Sequence, residues 1–137
     1  MNGRDFVRVV DQAFTPFLAK LGFTRDPPSI SGRLYRASYS GAKHSVIVSF
    51  EPGDEALFVL VFGREGGALS DMDDRTKTPR LSDLNSRYMN RVSNEERLAS
   101  EAEFKCIVAR DETERLLLKS AREMYLVLPR YLGDQAN

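Results

Sequence analysis

The first apolar positions recur at three- and four-residue spacing. Phe6, Val10, Ala13, Phe14, Phe17 and Leu21 fall on one face of a helix predicted from about Asp5 to Leu21. Arg4, Asp5, Arg8, Asp11, Gln12 and Lys20 are left for solvent. Pro16 interrupts this pattern because it lacks an amide donor and crowds the preceding turn. Either the helix kinks there, or Thr15 caps a fresh turn with Pro16 in first position. Gly22 suits a left-handed stop, with Phe23 folding back onto Leu18. Residues 24–32, with Pro27 and Pro28 adjacent, read as a loop without a regular element.

The period then drops to two. Tyr35, Ala37 and Tyr39 alternate with Leu34, Arg36 and Ser38, and His44, Val46, Val48 and Phe50 alternate with Ser45, Ile47 and Ser49. Ala56 to Phe62 is apolar at every position, as expected of a central strand or one covered on both faces. The connections at 40–43 and 51–55 are short enough to force antiparallel hairpins. Gly63 to Gly67 ends the third strand, and Ala68 to Met72 is a candidate fourth.

Helical spacing returns in the second half. Thr78-Pro79 has the form of an N-cap followed by a first-turn proline, with Leu81, Leu84, Tyr88 and Val92 along one face. Ser93-Asn94-Glu95-Glu96 fits a capping box, and Asp111 is placed to cap a last helix from about Glu112 to Tyr131. Between them, Leu98, Ala102, Cys106 and Ala109 suit a helix while Phe104 to Val108 suits a strand; the helix is favoured. The last helix is apolar almost all round in its second half, where Pro129 kinks or ends it, and Gly133 leads into a polar tail. Its surplus apolar surface at Met124 to Leu128 suggests a homodimer.

These elements predict one α+β domain over residues 1–137: an N-terminal helix, a three- to four-stranded antiparallel meander, and C-terminal helices packed on one sheet face as a two-layer sandwich. In element order alone this is similar to secretion chaperones and to many small bacterial immunity proteins, with no motif shared. Secretion chaperones are characteristically acidic. This chain carries twenty Lys and Arg against twenty Asp and Glu, and departs from that pattern.

The same neutrality argues against nucleic acid as a partner, since such binders carry a basic excess. The longest apolar run, Ala56 to Phe62, is far below the roughly 20 residues needed to span a bilayer, so no membrane segment is expected. Charge appears at once in Met1-Asn2-Gly3-Arg4-Asp5, without a signal-peptide core. A single cysteine, Cys106, forms no internal disulfide and suits a reducing, cytoplasmic location.

Candidate chemistry is sparse. His44 is the only histidine, which excludes paired-histidine sites and leaves a strand-end residue as its plain reading. Cys106, among Phe104, Ile107 and Val108, reads as a small core residue rather than half of a thiol–imidazole dyad. Asp71, Asp73 and Asp74 offer alternate oxygen ligands, but Arg75 sits at the fifth position and neither the glycine nor the closing Glu of a calcium loop follows. Gly63-Arg64-Glu65-Gly66-Gly67 lacks the Lys-Ser/Thr ending of a phosphate loop. No catalytic residue, metal or cofactor is therefore expected.

One stretch stands out. Residues 75–97 hold Arg75, Lys77, Arg80, Arg87, Arg91 and Arg97 against Asp83, Glu95 and Glu96. Arg80, Arg87 and Arg91 recur at helical spacing and offer forked donors for carboxylate or phosphate. The Asp83–Arg87 pair also fits an ordinary charged helix face. The connection from Gly63 to Arg80 is far longer than the usual roughly 4–6 residues, and long loops are often functional. The predicted binding residues are Asp71, Asp73, Arg75, Arg80, Arg87 and Arg91, serving a protein partner. The function expected is a small cytosolic, non-enzymatic protein-interaction domain: an immunity-type inhibitor, adaptor or chaperone. The alternative is a small-ligand binder, or an enzyme acting on an anionic compound through the 63–91 region.

Overall fold

Phe6, Val9, Val10 and Ala13 line the buried side of helix α1 (Gly3–Ala13) in the computed structural model, which describes residues 1–136. Asn2 caps this helix, its side-chain oxygen accepting the Asp5 N–H at 2.8 Å. The proline divides what the spacing presents as one helix. A second helix, α2 (Thr15–Lys20), starts with Pro16 in its first turn and Phe14 as the joint. Thr15 does not cap it. Its hydroxyl instead lies 2.9 Å from the Tyr39 hydroxyl, tying α2 to the sheet. Gly22 takes φ +93° and the Phe23 N–H reaches back to the Leu18 carbonyl at 2.9 Å, the predicted left-handed stop.

Residues 24–32 are not a featureless loop. β1 (Thr24–Arg25) and β2 (Ser29–Ile30) both pair antiparallel with the outer edge of β3 (Tyr35–Ser40). Pro27 and Pro28 lie between them, where missing donors cannot enter a ladder. Short pieces of this kind close an otherwise bare sheet edge. The meander is as predicted: β3 pairs with β4 (His44–Glu51), and β4 with β5 (Ala56–Glu65), which pairs in turn with a two-residue β6 (Ala68–Leu69).

Ala37, Tyr39, Val46, Val48, Phe50, Val59 and Val61 turn one sheet face to the core, beneath the helices. On β5 the opposite parity is apolar too: Leu60 and Phe62 are buried away from that core, while Phe58 is 43 % exposed. This accounts for the unbroken apolar run.

Thr78-Pro79 does not start a helix. Arg80 is the N-cap residue of α3 (Leu81–Tyr88), and Pro79 lies against β5, its carbonyl accepting the Val61 N–H at 3.0 Å. A 3₁₀ turn (Met89–Arg91) leads to α4 (Asn94–Phe104), whose Ser93–Glu96 capping box forms as predicted. No strand forms at 104–108, and the favoured helix stops at Phe104 without reaching Cys106 or Ala109. α4 buries Ser100 and Phe104 rather than Leu98 and Ala102, and Cys106 is exposed rather than packed in the core.

α5 (Glu112–Gln135) is capped by Asp111 and runs through both Pro129 and Gly133 instead of stopping there. Met124, Leu126, Val127 and Leu128 are all buried within the one chain. The apolar surplus expected to face a second copy is spent inside the fold, so this surface gives a homodimer no support. No helix among the described residues is long and apolar enough to cross a membrane.

Candidate functional site

Gly66 and Gly67 turn the chain after β5 with φ of +58° and +84°, angles that a side chain would strain. From Ser70 onward the long connection is built on hydrogen bonds. Ser70 donates its N–H to the Gly63 carbonyl at 2.8 Å and accepts the Gly63 N–H on its hydroxyl at 2.9 Å. That hydroxyl lies 2.6 Å from the hydroxyl of Thr78. Thr78 is fully buried and donates to the Asp71 carbonyl at 2.7 Å. Asp74 Oδ1 accepts the Thr76 hydroxyl at 2.6 Å and the Thr76 N–H at 3.0 Å. These bonds, the hydroxyl first, hold the Asp74 carboxyl below its ordinary range. Residues 70–78 thus form an ordered loop that leaves Asp71, Met72, Asp73, Arg75 and Lys77 exposed.

The six predicted residues fall into separate settings. Asp71 and Asp73 share the loop, with Asp71 Oδ1 accepting the Asp73 N–H at 2.9 Å. Arg75 forks onto Asp83 at 2.6 and 3.1 Å, which lowers the Asp83 carboxyl pKa. Asp83 also accepts the Arg80 N–H at 3.0 Å, while Arg80 Nη1 is enclosed without a hydrogen-bond partner. Arg87 lies 5.7 Å from the Tyr88 ring centroid and 6.0 Å from that of Tyr131, and Arg91 lies 5.8 Å from Tyr88. The helical spacing of Arg80, Arg87 and Arg91 does not make one row. Arg87 and Arg91 share the Tyr88 ring at the end of α3, whereas Arg80 is the N-cap residue at its start.

Beside the loop is an open cleft of about 660 Å³, walled by Lys43, His44, Gly63, Leu69, Asp71, Asp74 and Lys77 and floored by Tyr131 of α5. The half-buried His44 ring meets Tyr131 edge-on at 5.8 Å. Burial first, and Lys43 second, push the His44 pKa below 6.5, which favours the neutral imidazole. Burial raises the Tyr131 pKa against the opposing pull of Arg87. The Tyr88 hydroxyl donates to Asp134 at 2.6 Å. No family model, curated protein or solved structure matches this chain.

His44, Tyr88, Tyr131 and Asp134 are members of this neighbourhood that sequence spacing does not assign to it. Tyr88 and Tyr131 count as core by periodicity, and Asp134 falls in the segment read as a tail. Only the passage of α5 through Pro129 brings Asp134 to Tyr88. Among the described residues no three His, Cys, Asp or Glu side chains gather closely enough to hold a metal ion. The walls instead offer donors and acceptors of both signs around an apolar Leu69.

Proposed function

We propose that this chain is a small, non-enzymatic protein-interaction domain of the cytosol, of the inhibitor, adaptor or chaperone kind. Its working surface is the ordered segment from Gly63 to Arg80 with the exposed arginines of α3 and the turn that follows it. One observation carries the reading: the bonds beneath the loop hold Leu69 and Met72 out to solvent, 44 % and 52 % exposed, beside Asp71, Asp73 and Lys77. An apolar centre within a charged rim is the usual anatomy of a protein interface, and a rigid one loses little entropy on docking. A photo-crosslinking residue in place of Met72 should capture a discrete partner from native lysate, whereas the same residue at Leu98, 65 % exposed on α4, should not. With the probe kept at position 72, Leu69→Glu with Lys77→Glu should abolish that capture while stability stays within about 0.5 kcal/mol, as for other surface changes. Equal capture from both positions, or capture that survives the double substitution, rules the reading out.

A second reading draws on the 660 Å³ cleft, where Lys43 and Lys77 form no ion pair within the described residues. These are sites for an anionic compound, although Asp71 and Asp74 on the same walls weaken the attraction. Titration with inorganic phosphate and with citrate, followed by the His44 ring signals, tests it. Unmoved signals at millimolar anion eliminate it.

A further inference from the structure

The outer edge of β5 is covered only in part. β4 pairs along one side of the strand. On the other side β6 takes Arg64 and Glu65, Ser70 takes both groups of Gly63, and Pro79 takes the Val61 N–H. Backbone groups alternate between the two sides of a strand. Because Val61 and Gly63 address the outer edge, Val59 and Leu57 address it as well. The covering chain leaves at Arg80, opposite Leu60, and turns into α3. No strand among the described residues lies beyond it, beside Leu57 and Val59.

That stretch of edge opens into a cleft of about 460 Å³ between β5, α3 and α5. The volume falls in the range of about 300–1,000 Å³ typical of binding pockets. Its walls hold an unmatched pair: the Arg80 Nη1 donor and the Asn85 Oδ1 acceptor are enclosed without hydrogen-bond partners. Enclosed polar groups of this kind are costly and gain when a ligand supplies the missing partner. Phe58 also stands 43 % exposed on the adjoining sheet face.

We propose that this edge receives an extended segment of a partner protein, added as a further strand beside Leu57–Val59, with Arg80 and Asn85 turning to its backbone. The inference rests on the reading of the chain as a protein-binding domain and names how one part of the partner is held. An extended backbone is the ligand that offers carbonyls to an arginine, N–H groups to an amide oxygen, and both to a strand edge. Charge in the cleft cancels: Arg75 is held by Asp83, and Arg80 faces the cleft with Glu123 as its counterpart in sign. The matching segment is therefore neutral, with an apolar side chain to cover Phe58.

The probe is a phage-displayed library of random linear peptides, selected on the full chain, with the strongest sequence resynthesised. Its binding should slow amide exchange at Val59 and Leu57 by about tenfold or more. Methylating the peptide's backbone nitrogens one at a time should weaken binding at alternate positions only. Arg80→Met and Asn85→Leu should each weaken it roughly tenfold, with circular dichroism unchanged. Protection confined to residues 63–72, indifference to Arg80→Met, or equal losses at consecutive methylated positions would overturn the added strand. If the Met72 probe still captured its partner, the broader interaction reading would survive that result. A library that yields no binder would also refute the proposal. So would protection of the same amides by raising the protein's own concentration, which would give the edge to a second copy.

Discussion

Glu114 is 1 % exposed and meets Arg8 of α1 at 2.5 Å, while also accepting the Arg110 N–H at 3.1 Å. Removing Glu114 leaves Arg8, 23 % exposed and still partly hydrated, and the Arg110 N–H without their acceptor. Glu114→Ala should therefore cost about 2–3 kcal/mol by urea unfolding, and Arg8→Met combined with Glu114→Leu should recover most of that loss. A double variant as weak as the single one would show that the pair is not the source of the cost. His44 sets a pH dependence. Its folded pKa lies below 6.5, so the unfolded chain takes the proton more readily than the folded one. Its share of stability is intact above about pH 6.5 and declines as pH falls toward the depressed value, levelling below it. His44→Gln should remove that slope, so between about pH 7.5 and about pH 5 the wild-type urea midpoint should fall relative to that of the variant, whatever offset separates the two at the higher pH. Parallel curves would contradict it. At this scale the sequence was informative about caps, because a cap and its acceptor lie within three residues. It was silent on Glu114, whose partner lies on the first helix.

α4 is weakly held by packing for a helix of eleven residues, with only Ser100 and Phe104 buried. What secures it is polar: the Ser93–Glu96 box, and Arg130 forked onto Glu96 at 2.6 and 3.0 Å. Ser93→Ala should cost about 1 kcal/mol, which for a locally opening helix is roughly fivefold faster amide exchange over 97–104 with the middle of α5 unaffected. Exchange that speeds equally in α5 would mean that α4 opens only with the whole domain. The 70–78 loop is likewise polar in origin. Thr78→Val removes the donor to Asp71 and the contact with Ser70, and should cost about 1–2 kcal/mol while weakening capture through Met72. An unchanged melting point would place the loop's order elsewhere. The helical spacing and the two-residue alternation carried these elements, yet Thr78-Pro79 misled. The same dipeptide that starts a helix also suits a buried turn against a strand edge, and only β5 decides between them.

Across the whole molecule, Arg87 and Arg91 face aromatic rings rather than carboxylates, so their charge is available at the surface. Arg87→Glu with Arg91→Glu should weaken partner binding roughly tenfold or more, at a cost in stability of about 1 kcal/mol from the lost ring contacts. Wild-type affinity in that variant would move the site elsewhere on the domain. The order of the main helices and strands, the antiparallel meander and the inward parity of β3 and β4 followed from the sequence alone, whereas β5, apolar at every position from Ala56 to Phe62, gave no parity to read. Periodicity is a local property, and a helix or hairpin has only one way to bury its apolar face. The pairing of β1 and β2 with β3, the unbroken course of α5 through Pro129, and the meeting of His44 with Tyr131 did not follow from it. These depend on residues far apart in sequence, and on whether neighbouring elements supply the partners and packing that local preference lacks. Short strands gain from an open edge already in place, and a helix survives a proline when burial on its other sides outweighs one missing hydrogen bond.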